Sequence, residues 1–148
     1  MSTITVKTQT ENQIHVDKST LKFLVGFNEF TEGSLTASGA DVELTEGLIM
    51  GRISATNLLT PCDKDATDGS ALPVGVCIRT QTVADGDTET IKLVNKGRID
   101  ESFLNFADTE TLATPVGPAN FQKTYRDHLE DLGLVLENGV ELTAVDNS

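Results

Sequence analysis

Residues 46–106 read EGLIMGRISATNLLTPCDKDATDGSALPVGVCIRTQTVADGDTETIKLVNKGRIDESFLNF. Short apolar segments alternate in this stretch with turns built from Gly, Asp and Pro, which is typical of β-strands joined by tight loops. The stretch shows no motif that sets a nucleophile beside an activating base. It therefore favours a β-rich protein that presents a surface and a shape rather than a reaction.

The strands predicted within this stretch are residues 48–53, 73–82 and 90–94. Between the last two lies Asp85-Gly86, a dipeptide favoured in hairpin turns because Gly accepts positive φ. The alternation of Val74, Val76 and Ile78 places them on one face of their strand. The sequence thus predicts an antiparallel pair formed by residues 73–82 and 90–94.

Shorter apolar segments precede this stretch. Residues 21–30, LKFLVGFNEF, are either a strand or a loop that places Phe23, Phe27 and Phe30 on the core. Two short strands are predicted after them, at residues 33–39 and at residues 41–44.

The hydrophobic period changes to that of a helix near the C-terminal end. Phe121, Tyr125 and Leu129 are spaced by four residues, which predicts a helix over about residues 118–131. Gly133 suits the position after its end. Asn138-Gly139, between the apolar residues 134–136 and 140–142, predicts a tight turn.

The chain has 148 residues, which suits one domain, and a net charge of −12. Such a charge repels phosphate backbones and anionic lipid heads, so we expect no nucleic-acid and no membrane partner. The first residues lack the features of a signal peptide, and no apolar run approaches a membrane span. We therefore expect a soluble protein made in a reducing compartment, with Cys62 and Cys77 as buried free thiols.

Residues 1–16 are polar, and Thr3, Ile4, Thr5, Val6 and Lys7 alternate at the period of a strand. They are either a flexible N-terminal arm that can add to the edge of another sheet, or a frayed terminus. With the arm interpretation, residues 17–148 form a single domain.

Candidates for chemistry are few. No motif places a nucleophile beside His15 or His128, so both are interpreted as solvated side chains. Cys62, Cys77 and a histidine lack the spacing of a zinc site, and Gly-rich phosphate loops are absent from the sequence. We expect no cofactor.

Asp63, Asp65 and Asp68 form the sharpest candidate, a calcium loop, because hard oxygen ligands in a short segment suit Ca²⁺. An EF-hand needs its third acid one residue earlier and a Glu where Val74 stands. The alternative is an acidic, solvated turn, and we expect no metal.

The order of features resembles the head decoration protein family of lambda-like tailed bacteriophages. The resemblance covers roughly residues 19–137, and each of its motifs is short. Its pieces are Asp68-Gly69-Ser70 followed by Val74-Gly75-Val76, the lead-in at residues 30–39, and residues 128–132 running into Gly133-Leu134-Val135-Leu136.

The resemblance implies a mainly β (α+β) fold, with a small β-barrel or β-tulip-like body, one C-terminal helix and an extended N-terminal arm. It also implies a capsid decoration protein without enzymatic activity, assembled in the host cytoplasm. Such proteins form homotrimers at local three-fold positions on the outer capsid surface and stabilise the expanded shell. Their arm pairs with a strand of the major capsid protein, and Thr3 to Lys7 are the corresponding residues here.

Two other functions fit a small β-rich chain. One is a binding module of a phage tail or baseplate. The other is a glycoside hydrolase, which needs two acids in a cleft, although nothing in the sequence ranks one pair of the 23 acids above another.

Overall fold

The computed structural model describes residues 24–117 and 122–137. Ten strands, one α-helix and a 3₁₀ turn at Glu101–Phe103 make up this part of the chain. The strands, in chain order, are β1 Leu24–Thr36, β2 Val42–Leu44, β3 Ile49–Arg52, β4 Leu59–Pro61, β5 Pro73–Cys77, β6 Gln81–Val83, β7 Thr88–Asp100, β8 Pro115–Val116, β9 Lys123–Thr124 and β10 Leu134–Glu137. The predicted mainly β fold with a helix near the C-terminus is confirmed.

Six strands form one sheet in the order β1-β7-β5-β3-β4, and β10 runs parallel to β7 beyond the end of β5. β1 and β7 are its two long strands and pair antiparallel from Leu24↔Ile99 to Thr36↔Thr88. The end strands β1 and β4 contact each other, and a Cβ on Gly33 would lie 3.0 Å from Leu59 Cδ1. The sheet therefore curls on itself into a small β body, and side chains close its seam.

Both faces of this sheet are buried, because consecutive residues of β3, β5 and β7 enter opposite cores. One core holds Ile49, Val76 and Val94 together with the helix residues Tyr125 and Leu129. The second core takes the neighbouring residues, and its members include Met50, Cys77, Leu93, Leu35, Leu44, Leu59 and Val83. Burial on both faces explains why β3 and β5 are mostly apolar, whereas β7 has consecutive buried apolar residues only at Leu93 and Val94.

The prediction of two separate segments before residue 39 is wrong, because residues 24–36 form one strand, β1. The long partner β7 pairs with residues 24–25 and 29–36, and the register shifts at a bulge between Val25 and Phe30. The sequence period is unclear there because the alternation shifts at the bulge.

The predicted pairing of residues 73–82 with 90–94 is confirmed only in its first half. β5 pairs with β7 through Val76↔Val94. The chain then leaves the sheet, and β6 pairs with β2 in a separate two-stranded ribbon. Gly86, at φ 88°, still makes the turn into β7.

The helix α1, Tyr125–Leu132, begins later than the predicted residue 118. Thr124 and Asp127 form a capping box at its start, which fixes the first turn, and Lys123–Thr124 belongs to strand β9. Gly133 ends the helix in the left-handed conformation at φ 109°, as predicted. Phe121 and the predicted turn at Asn138-Gly139 lie outside the described residues. Within the described part, no helix is long and apolar enough to cross a membrane.

Candidate functional site

The predicted arm residues Thr3, Ile4, Thr5, Val6 and Lys7 lie outside the described residues. The chain enters the described part at Leu24, the first residue of β1. β1 stands at the end of the sheet order, so its outer edge pairs with no other strand among residues 24–117 and 122–137. The segment that precedes Leu24 therefore leads directly into a sheet edge.

Two phenylalanines of β1 face solvent. Phe27 is fully exposed, at 101%, and Phe30 is 46% exposed. The cause lies on the partner strand, where Gly97 has φ 124° and a Cβ would lie 2.7 Å from the carbonyl oxygen of Phe27. The bulge can approach β7 this closely only because residue 97 is a glycine. Of the two alternatives for residues 21–30, the loop that places Phe27 and Phe30 on the core is wrong, and Phe23 lies outside the described residues.

Ion pairs occupy the same end of β7. The Lys96 ammonium lies 3.9 Å from the Glu29 carboxylate, and Arg98 Nε lies 2.8 Å from Glu137 Oε1 on β10. Val135, 49% exposed, pairs with Arg98 on the opposite side of β7 from β1. An exposed aromatic on a sheet edge, bordered by neutralised charges, suits the addition of a strand from a partner protein.

The calcium candidates Asp63, Asp65 and Asp68 each take part in local contacts. Asp63 Oδ1 accepts a hydrogen bond from the Asp65 backbone at 2.9 Å, and Asp65 Oδ2 lies 2.6 Å from Lys64 Nζ. Asp68 Oδ1 accepts from the backbone and the hydroxyl of Ser70, and these bonds lower the pKa of the Asp68 carboxyl. The described residues contain no group of three or more His, Cys, Asp or Glu side chains placed to hold a metal ion.

A buried polar cluster holds this acidic loop to the helix. Glu110 Oε1 accepts from the Lys64 backbone at 2.8 Å, and Glu110 Oε2 lies 3.4 Å from the Tyr125 hydroxyl. Burial raises the pKa of the Cys62 thiol, and the nearby charge of Glu110 raises it further. Burial likewise raises the pKa of the Tyr125 hydroxyl. A thiol kept protonated is a poor nucleophile. The contacts of Glu110 with the Lys64 backbone and the Tyr125 hydroxyl link the acidic loop to the helix.

The other reactive side chains are also engaged. Cys77 is buried and free, like Cys62, as predicted. Its Sγ donates to the Arg79 carbonyl at 3.1 Å, and burial raises its pKa. His128 is half-buried rather than solvated, with Nε2 3.4 Å from the Val116 carbonyl oxygen. His15 lies outside the described residues.

Sequence reasoning missed the exposed edge of β1, although a signal for it exists. Gly97 interrupts the alternation of β7, and a glycine inside a strand marks a close backbone approach. The sequence alone does not show which segment approaches Gly97, because this depends on the pairing of β1 with β7.

Comparison with known families identifies the family of this chain. The family model of the bacteriophage lambda head decoration protein D matches residues 8–115. The match includes β1 to β7 and ends at the first residue of β8, so α1 and β10 follow it. Thr3 to Lys7 precede it. A search among curated proteins finds no match.

Proposed function

The chain belongs to the bacteriophage lambda head decoration protein D family, and from this premise we propose how it attaches to the capsid. Residues 1–16 form an arm that pairs with a strand of the major capsid protein, with Thr3 to Lys7 in the added strand. Phe27 on β1 then docks beside that strand as a fixed anchor. The observation that supports this proposal is the edge of β1, which pairs with no other described strand, begins at Leu24, eight positions after the proposed arm ends, and carries the fully exposed Phe27.

The body supports such an attachment energetically. A flexible segment loses conformational entropy when it becomes ordered on binding, and this cost weakens the contact of a single arm. Burying Phe27 returns about 1.5–3 kcal/mol, which offsets part of this cost. Three copies around a local three-fold position, as a homotrimer, would couple three such contacts through multivalency.

A ligand that binds only one state of the shell stabilises that state by mass action. We therefore propose that the protein binds the expanded shell from outside and reinforces it. A net charge of −12 suits the outer capsid surface, away from packaged DNA. The proposed role is structural and needs no enzymatic activity, in keeping with a family of structural capsid proteins.

Co-sedimentation with expanded and unexpanded shells of the phage that encodes this chain tests the proposal. We expect deletion of residues 1–16 to weaken binding to expanded shells at least about 100-fold and Phe27→Ser about 10-fold, since about 1.4 kcal/mol is tenfold in affinity. Leu72→Ser is the matched control, because Leu72 is similarly apolar, 47% exposed and away from β1.

Undiminished attachment of the deletion variant would rule out the arm as the main contact. Attachment to isolated tails or baseplates instead of heads would favour the binding-module alternative. Equal binding to both forms of the shell would contradict the proposed reinforcement of the expanded state.

A further inference from the structure

Two depressions of opposite charge flank the ribbon of β2 and β6. We call them the cationic pocket and the acidic groove. β6 lines only the first, through Gln81, and β2 lines only the second, through Val42 and Glu43. Because the two strands pair side by side, the depressions lie on opposite flanks of one narrow ribbon.

The cationic pocket encloses about 190 Å³ and contains Arg79 and Lys92. Neither forms an ion pair with any other described residue. Every other described basic residue has a charged or polar partner: Lys64, Lys96, Arg98, Lys123 and Arg126 form ion pairs, and Arg52 binds Asn57. Glu32 also lines the pocket and stands opposite Lys92 in the β1–β7 register, but the pair forms no salt bridge. Arg79 and Lys92, two cations without a salt bridge to any described residue, thus share one site, where they outnumber the single carboxylate of Glu32.

The acidic groove encloses about 620 Å³ and has no basic residue in its lining. Its apolar floor includes Val42, Ile53 and Cys62. Its carboxylates are Asp41, Glu43, Asp63, Asp68 and Asp108. The groove thus offers negative charge around an apolar surface.

The β2–β6 ribbon, which separates the two depressions, is connected by hydrogen bonds to the turn before β7. Asp41 Oδ1 accepts a hydrogen bond from the Asp85 backbone at 2.9 Å, and Asp85 Oδ1 accepts from the Gly39 backbone at 2.7 Å. These bonds order the Asp41 end of the acidic groove before any partner arrives, which lowers the entropic cost of association.

Identical copies with a net charge of −12 repel one another, so their association requires local attraction. A ring of copies needs two different, complementary surfaces on each copy, because its contacts are head-to-tail. We propose that the cationic pocket of one copy receives a carboxylate from the rim of the acidic groove of the next copy. The β2–β6 ribbon then lies at the contact between copies, and its two flanks meet different neighbours. This inference rests on the self-association in the proposed function.

Charge reversal tests this contact by sedimentation equilibrium of the full-length chain. We expect Arg79→Glu/Lys92→Glu to weaken association of the copies at least 10-fold at physiological salt. Lys96→Glu/Lys123→Glu is the matched control, because it makes the same change in net charge at two solvated ion pairs that line neither depression. It should change association less than threefold. Circular dichroism and a denaturation midpoint verify that both variants fold.

A charge swap sharpens the test. Glu43→Lys/Asp108→Lys should weaken association as the first variant does, and the combination of all four substitutions should restore most of it. If the wild-type chain forms an oligomer, and the Arg79→Glu/Lys92→Glu variant and its control form it with equal stability, this inference alone is overturned. A wild-type chain that stays monomeric at every concentration, both free and after release from shells, overturns the proposed self-association as well.

Discussion

The helix side of the body and the β1 edge of the sheet differ in how their polar and apolar groups are satisfied. On the helix side, Glu110 and Tyr125 are buried and bonded to each other, and the Lys64 backbone completes the contact. On the β1 side, the outer strand edge pairs with no described strand and Phe27 is fully exposed. The first region satisfies its polar groups within the chain, whereas the second has a strand edge that pairs with no described strand and an exposed phenylalanine, where the proposed partner would bind. Stability and attachment should therefore respond to different substitutions.

The largest effect is expected from Leu129→Ala on the helix side. Leu129 is completely buried against the sheet, and truncation of a buried leucine costs about 2–5 kcal/mol through lost contacts and a cavity. Chemical denaturation should show this loss in the free energy of unfolding, while the folded fraction should bind shells with unchanged affinity. A folded variant with weakened shell binding would contradict the separation of the two regions.

Gly97→Ala should affect both properties at once. The new Cβ would overlap Asn28 at the bulge and would require positive φ from a residue with a side chain. We expect a loss of about 1–3 kcal/mol in the free energy of unfolding and weaker shell binding, because Phe27 moves with the bulge.

The control for this change is Gly86→Ala, which also has positive φ but meets no atom within 4 Å. It should cost about 1 kcal/mol and leave shell binding intact. Equal binding by the Gly97→Ala and Gly86→Ala variants would show that the bulge does not position the anchor.

The smallest effect is a dependence on pH at the start of α1. Hydrogen bonds from the Thr124 backbone and hydroxyl lower the pKa of the Asp127 carboxyl in the folded protein. This stabilisation is complete above the unfolded pKa of about 3.9 and disappears as pH falls through the lower folded pKa.

Asp127→Asn should therefore reduce the fall in stability between about pH 5 and pH 2, measured as the denaturation midpoint at each pH. Asp87→Asn on the exposed turn is the control, because it makes the same change in charge outside the capping box. Identical slopes in both variants would contradict the role of the capping box.

The sequence predicts those parts of the fold that depend on local patterns. The β5–β7 pairing follows from apolar strands and a Gly turn, and the end of α1 follows from Gly133. The start of α1 is missed because an apolar stripe continues past the capping box at Thr124 and Asp127. The exposure of Phe27 is missed because Gly97, a residue far away in sequence, determines it.

The candidate site is predictable only in part. The alternation of Thr3 to Lys7 suggests an added strand, but nothing near Arg79 or Lys92 in the sequence shows that they share a pocket. Their proximity arises from the pairing of distant strands and from the chain leaving the sheet after β5. Such surfaces require the three-dimensional structure.

The parallel orientation of β10 has a practical consequence for attaching cargo. Leu24 and Glu137 both lie at the Asp100 end of β7, so the segments before and after the body emerge at one pole. The turn at Ala84–Asp87 lies at the other pole, about 40 Å away along thirteen strand residues. With the attachment proposed above, a payload linked to a side chain at position 86, where an added Cβ meets no atom within 4 Å, would point away from the shell.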